Sequence, residues 1–320
     1  LLPAVLYYLS LFTMIHFEAL RHGLGGTPSD LIPELRSIKR KLYYLAPLAL
    51  LIVLMIAGRS IIFSALLACA AVVALSFLSP ETRLTPARFL ATMENAAANL
   101  LMIAACCACV GIVIGVVTMT GFVNLMGSLA QVHIGIFLLV LAGTCVIFGM
   151  GLPSLPAYIL VATFGAPALV QAGVPVLAAH LFVMYFAISS GITPPVCLVA
   201  YAGAAIADAP PMKTGFTAFK LGIAAFIVPF IFIFEPALLL MGDWPTILHA
   251  VFTAVLGVVC LASSMQGWLF TESSPAERVM MFVAGIVLVY PGLLTDLIGF
   301  GTASLVFFIQ IARKKRLCAA

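Results

Sequence analysis

The segment Ser189-Ser190-Gly191-Ile192-Thr193-Pro194-Pro195 sets three hydroxyls, a glycine and two prolines inside an apolar run from 174 to 207. Hydroxyl oxygens and freed carbonyls are hard ligands, suited to an alkali cation; freed N–H groups suit a small carboxylate. The two prolines remove two backbone donors and push Thr193 out of the α region, so a helix entering at Pro175 stops near Ser190 and restarts around Pro195. In lipid an unpaired backbone group costs several kcal/mol, so such a break persists only where protein, water or a bound solute satisfies it. A second interruption, Gly149-Met150-Gly151-Leu152-Pro153-Ser154, is built from residues that permit positive φ and forbid helix continuation. Alone it reads as packing; paired with the first it reads as a site.

The candidate site is therefore Gly149, Gly151, Pro153 and Ser154 from one element and Ser189, Ser190, Gly191, Thr193, Pro194 and Pro195 from the other. The half-helix ending at Ser190 presents carbonyls and a partial negative charge to a cation, and the one starting at Pro195 offers the positive end of its dipole to a carboxylate. Na⁺ is the expected ion, at Ser189, Ser190 and Thr193. Proton coupling calls for a titratable group at mid-depth. The candidates lie elsewhere: Glu235 near the outer end of its helix, Asp296 in the last turn, His133 at the outer interface, and His180 one-third into the broken helix. No catalytic residue and no cofactor is expected. Cys106, Cys107 and Cys109 have no His or carboxylate at ligand spacing and read as small apolar helix residues.

The elements that must position these residues follow from composition. With 64% hydrophobic and 8% charged residues over 320 positions, and mean hydropathy +1.25, there is too little polar surface for a water-soluble globule. The class is an all-α polytopic membrane protein. Apart from Arg59, the Lys and Arg residues (15 in all) fall in Arg21 to Lys41, Arg83 to Arg88, Lys213 to Lys220, Arg278 and Arg313 to Arg316. The positive-inside rule puts those segments and the C-terminus in the cytoplasm. Basic clusters here set topology and exclude nucleic acid as a partner; lipid is the expected surroundings.

Along the chain, 1–20 makes a first span with His16 and Glu18 at the interface, and 42–57 with 61–79 a tight helical pair. The chain breaks over 80–86. A helix from Ala87 to about Met119 starts with an in-plane charged stretch carrying Glu94, and its Gly111 and Gly115 read as packing glycines. Ile134 to Leu169 reads as a re-entrant hairpin, with arms 134–148 and 155–164 too short to cross about 30 Å of hydrocarbon. The broken helix 175–207 follows. Lys220 to Met241 and Thr246 to Met265 are two further crossings, and 279–290 with 297–312 closes the chain. The divisions are 1–86, scaffold-like helices and a cytoplasmic loop; 87–241, a transport repeat; and 242–320, a helical extension.

Gly149-Met150-Gly151-Leu152-Pro153, Ala178-Ala179-His180-Leu181-Phe182, Thr193-Pro194-Pro195-Val196, Ala200-Tyr201, Met212-Lys213-Thr214-Gly215 and Pro236-Ala237-Leu238-Leu239 resemble the large permease subunit of tripartite ATP-independent periplasmic (TRAP) transporters. The order is most similar to fused permeases of the TAXI type, over roughly residues 1 to 241. The resemblance implies a Na⁺-driven elevator-type importer in a bacterial inner membrane, with two inverted repeats of hairpin and broken helix. It also implies organic-acid substrates (C4-dicarboxylates, 2-oxoacids, glutamate-like acids, sialic acids), a periplasmic solute-binding protein and a small four-helix permease subunit. Only one repeat is present in these residues, which on this resemblance form the C-terminal portion of a permease.

Other readings stay open at this stage. A one-repeat transporter could act as an antiparallel dimer, although the one-sided charge distribution opposes dual insertion. A structural membrane subunit is a second. An intramembrane hydrolase using Ser154 with His133 or His180 is a third, and it lacks a group to orient the histidine.

Overall fold

The computed structural model describes residues 2–25, 41–78, 82–289 and 292–319. It is helical, with no strand among the described residues and one isolated antiparallel bridge between Trp268 and Glu272. Among the described residues six helical segments are long and apolar enough to cross a membrane, and four shorter apolar helices accompany them. This is a polytopic all-α membrane protein. The basic residues Arg36, Lys39 and Arg40 of the first loop, Pro80 of the expected break and Tyr290 lie outside the described residues.

Two compact units are present, 25–102 in one and 1–24 with 103–320 in the other. The smaller holds α2 (Ala46–Ile56) and α3 (Ile61–Ser76), packed against each other as expected for the pair. Ser60 starts α3 by accepting the Phe63 N–H through Oγ at 3.3 Å. Few residues of the pair are buried, and Ile56, Ile61 and Ile62 point outward as lipid-facing side chains do.

α4 (Pro86–Met119) is one unbroken helix of 34 residues, about 51 Å at 1.5 Å per residue. No proline or glycine between Ala87 and Val110 interrupts the ladder, so the charged start and the apolar run form one helix. Space around Gly111 and Gly115 is open within 4 Å among the described residues, so the packing role expected of them is not realised there.

In the larger unit α1 (Leu2–Arg21) buries Pro3, Leu6, Ser10, Met14 and Phe17, a stripe spaced by three and four residues. That stripe packs on α11 (Ala224–Phe234) and α12 (Trp244–Gln266). α5 (Phe122–Val132), α6 (Ile134–Gly149), α7 (Ser154–Gln171) and α8 (Val176–Ser189) close around Phe137, Leu141, Phe164 and Phe182. α9 (Leu198–Ile206) and α10 (Pro211–Leu221) complete this part. The crossing expected to begin at Lys220 begins at Pro211, as α10 and α11 separated by a turn at Gly222 and Ile223.

The chain closes with α13 (Pro275–Val289) and α14 (Leu293–Ala319). Here the packing glycines are Gly257 and Gly285, where an added Cβ would stand 2.9 Å from the other glycine's carbonyl oxygen. Such contacts let helix backbones approach in lipid. The C-terminus of α12 is capped by cations from three other helices: Arg21 donates to Gln266 O at 3.0 Å, Lys220 to Gln266 Oε1 at 2.5 Å, and Arg278 to Ser264 O at 3.0 Å.

A buried polar network locks α13 to α14. Gln310, fully buried, accepts from Phe270 N, Thr271 N and Thr271 Oγ1, and donates to Ser273 Oγ and Glu277 Oε2. Glu277 also closes a capping box with Ser274 and takes a two-pronged contact from Arg313 at 2.5 and 3.3 Å. Burial alone would push the Glu277 carboxyl up, but the Ser274 N–H, the Gln310 amide and the Arg313 guanidinium outweigh it and hold it below its ordinary value of 4.5. A depressed carboxylate stabilises fully above its unfolded pKa, and the contribution is lost as pH falls through the folded one. The unfolding midpoint of the detergent-solubilised protein should therefore drop on acidification below about pH 4.5. In Glu277→Gln that acid-dependent drop should shrink, which a thermal melt across pH will show.

Candidate functional site

Residues 175–207 do not form a straight helix. α8 runs to Ser189, a 3-10 turn covers Ser190–Ile192, Thr193 is extended, and the Pro194–Pro195 peptide is cis. The second half begins at Leu198, three residues later than expected at Pro195. Neither proline can donate to a first helical turn and each holds its predecessor extended, so α9 is only nine residues, about 14 Å.

The hairpin forms as α6 and α7 about a tip at 150–153. Its second arm is longer than expected, running beyond Phe164 through Pro167 to Gln171. Gly165 within this arm serves close packing: an added Cβ would sit 3.0 Å from Val183 and 3.1 Å from Leu141. At 18 residues this arm is long enough to cross a membrane.

Tip and break meet. A Cβ on Gly149 would lie 2.6 Å from Ser190 Oγ and 3.2 Å from Ala187 O, and one on Gly151, whose φ is +79°, would lie 3.6 Å from Val196 Cγ1. Only glycine at 149 allows the end of α6 to touch the end of α8. Around this junction opens a cavity of about 700 Å³, reached by Gly151, Pro153, Ser154, Ser189 and Gly191 of the expected site. Gly149, Ser190, Thr193, Pro194 and Pro195 stand behind it as its frame.

Within the frame, Ser190 Oγ donates to Ala187 O at 2.6 Å, and Thr193 Oγ1 to Ser189 O at 2.8 Å. These two hydroxyls brace the break. Tyr201 donates to Pro195 O at 2.5 Å and steadies the cis pair. Pro194 packs toward α10 at Gly215, where an added Cβ would meet it at 3.8 Å.

Two polar features of residues at or beside the cavity have no hydrogen-bond partner among the described residues. One is the Ser189 hydroxyl, in a residue only 5% exposed. The other is the start of α9, where the N–H groups of Leu198, Val199 and Ala200 precede the first helical bond, Tyr201 N to Cys197 O at 3.0 Å. Cys197 provides no side-chain cap. An uncapped helix N-terminus is a place for an anion. The two lie on one cavity.

Sequence reasoning missed Tyr7, Tyr8 and Tyr185, which also line it. Their signal was available: a tyrosine inside an apolar span carries a hydroxyl that needs a destination. The titratable residues fall elsewhere. His180 Nδ1 stands 2.9 Å from Tyr158 Oη, so its ring is engaged by that tyrosine. Asp296 sits in the first turn of α14, not ahead of it, and pairs with His249 Nε2 at 2.9 Å. No group of three or more His, Cys, Asp or Glu able to hold a metal occurs among the described residues. A cation at this junction must be held by hydroxyl and carbonyl oxygens.

No curated protein and no solved structure matches the chain. Residues 1–247, which include the hairpin, the broken helix and α1, match the family model described as "Tripartite ATP-independent periplasmic transporter, DctM component". With that match over most of its length, the chain belongs to the DctM family of TRAP transporter permeases.

Proposed function

We propose that this permease imports organic acids (dicarboxylate, 2-oxoacid or glutamate-like) with Na⁺ across the bacterial inner membrane. A periplasmic solute-binding protein delivers the acid and a small four-helix permease subunit, separate or fused, completes the complex. The C-terminus lies on the cytoplasmic side, and the repeat 87–241 carries the site in an elevator-type movement. The TAXI type is the subgroup whose motif order fits best. The observation that carries the reading is the touching of hairpin tip and helix break around a cavity.

Na⁺ fits the donors available there: the Ser189 and Ser154 hydroxyls and the carbonyl end of α8, all hard oxygens with no fixed charge. The acid's carboxylate fits the free N–H groups opening α9. Thr193 and Ser190 hold these groups in place through the bonds already described.

Ser189→Ala removes one oxygen from the ion and leaves the frame intact. Uptake of a panel of radiolabelled organic acids into membrane vesicles expressing the intact permease and its binding protein should be Na⁺-dependent. In the variant the Na⁺ concentration for half-maximal uptake should rise by about tenfold, the loss of roughly 1.4 kcal/mol of ion binding. Uptake indifferent to Na⁺ in the unmodified protein would refute the coupling.

A further inference from the structure

The last turn of α12 gathers three cations, and capping uses only part of what they offer. Arg21 gives Nη1 to Gln266 O and faces Glu272, an exposed carboxylate 3.6 Å away. Lys220 holds Gln266 Oε1, and neither it nor Arg278 forms an ion pair among the described residues. Arg278 spends Nε on Ser264 O at 3.0 Å, with its guanidinium lying against Gly267, so both terminal nitrogens remain to bind something else. The neighbouring carboxylate, Glu277, is turned away onto Gln310 and Arg313. Beside the exposed Arg278 a groove of about 310 Å³ opens between the end of α12 and the start of α13, lined by Ser264, Met265, Pro275, Arg278, Val279 and Phe282. Positions 275, 278, 279 and 282 share one face of α13, so the groove follows that helix for about 10 Å. Val279 is 62% exposed and Phe282 36%, so this face looks outward.

We propose that this groove binds an anionic phospholipid, with its phosphate on Arg278 and one acyl chain along Val279 and Phe282. α12 is long and apolar enough to cross the membrane, so its charged end lies at an interface, and α13 leads from there back into hydrocarbon. A cation at the interface with an apolar track running inward from it has the order of a phospholipid, head then tail. The guanidinium fork matches two phosphate oxygens at once, which an ammonium cannot do. Lys220 and Arg21 at the same helix end add to the attraction, each interfacial cation strengthening the hold on an anionic lipid by about fivefold. Free phosphate would satisfy the guanidinium and leave the track unfilled; the lipid uses both. This site lies on α12 and α13, away from the junction of hairpin tip and helix break, so it stands or falls apart from the transported solute.

The test is native mass spectrometry of the intact permease in detergent, titrated with dioleoyl phosphatidylglycerol or dioleoyl phosphatidylcholine, with glycerol 3-phosphate as a tail-less competitor. Phosphatidylglycerol should bind about fivefold or more tighter than phosphatidylcholine, and glycerol 3-phosphate should not displace it. Arg278→Gln should erase that preference. Lys213→Gln, which removes the same charge from an exposed position of α10 outside the groove lining, should keep it. Val279→Trp fills the track without touching any charge and should weaken phosphatidylglycerol binding severalfold. Because position 279 is exposed, that variant decides the matter even if Arg278→Gln does not fold. Equal affinity for the two lipids, equal effects of Arg278→Gln and Lys213→Gln, or undiminished binding in Val279→Trp would overturn the proposal. Displacement by glycerol 3-phosphate would overturn it too, showing a site for a soluble anion instead.

Discussion

Gly149→Ala should reduce Na⁺-driven uptake by ten- to a hundredfold while leaving the protein in the membrane. The added methyl would stand 2.6 Å from Ser190 Oγ, 3.0 Å from Ser190 Cβ and 3.2 Å from Ala187 O. One of those is a backbone oxygen at the end of α8, and Ser190 is held to it by its own hydrogen bond at 2.6 Å. Neither can swing aside, so tip and break must separate. Overpacking of this kind costs roughly 1–3 kcal/mol, and here the cost falls on the geometry of the site. Gly143→Ala, on the same helix with nothing within 4 Å of an added Cβ, is the matched control. It should transport normally and gain about 0.5–1 kcal/mol of helix stability. Ser190→Gly combined with Gly149→Ala removes two of the three close contacts and should restore part of the uptake. Equal activity in Gly149→Ala and Gly143→Ala would show that the close approach is not needed.

Gln310→Leu should destabilise the C-terminal helices by roughly 2–5 kcal/mol, since it strips the acceptor from two N–H groups, on Phe270 and Thr271, and a donor from buried Glu277. The readout is the unfolding midpoint in denaturing detergent together with proteolysis over residues 267–274. Gln310→Glu sharpens the test. It keeps an acceptor but sets a second carboxylate beside Glu277 Oε2, 2.9 Å from the present amide nitrogen. Two carboxylates that close share a proton, so the folded variant binds a proton the unfolded chain releases at neutral pH. Its stability should rise as pH falls from 7 toward 5, opposite in sign to the acid loss expected of the unmodified protein. A network of no structural consequence would leave all three proteins alike.

Local chemistry explains what was legible in the sequence. Both interruptions could be read because Pro194-Pro195 and Pro153 stand beside glycine and polar residues in apolar runs, whereas Pro167, standing alone, lies within α7, and Gly151 takes a φ of +79° that other residues resist. Restart points were harder to read. α9 begins at Leu198 because the loss of donors outlasts the prolines themselves, and α7 continues past Phe164 with Gly165 packed closely against Leu141 and Val183. Tertiary contact decided these boundaries.

Pairings between distant residues left no trace that periodicity could find. Gln310 meets Thr271 across 39 residues, and His249 meets Asp296 across 47, each joined by a fold that turns the chain back between them. The capping box of Ser274 and Glu277 is an exception, since its three-residue spacing is readable. Of the candidate site, the hydroxyl positions were readable but their roles were not. Ser190 and Thr193 carry the same chemistry as Ser189 and Ser154, and only the geometry shows that the first pair bond inward while the second pair face the cavity.

The central claim is that ion and acid occupy the space between hairpin tip and helix break. Maleimide reactivity of Ser154→Cys, in the intact permease with its native cysteines changed to Ser, tests it most directly. Ser154 is exposed at the mouth of the cavity and belongs to no brace. The account predicts that Na⁺ together with a transported acid slows labelling at least tenfold, while K⁺ with the same acid does not. Labelling at one rate in Na⁺, in K⁺, and with or without acid would contradict it.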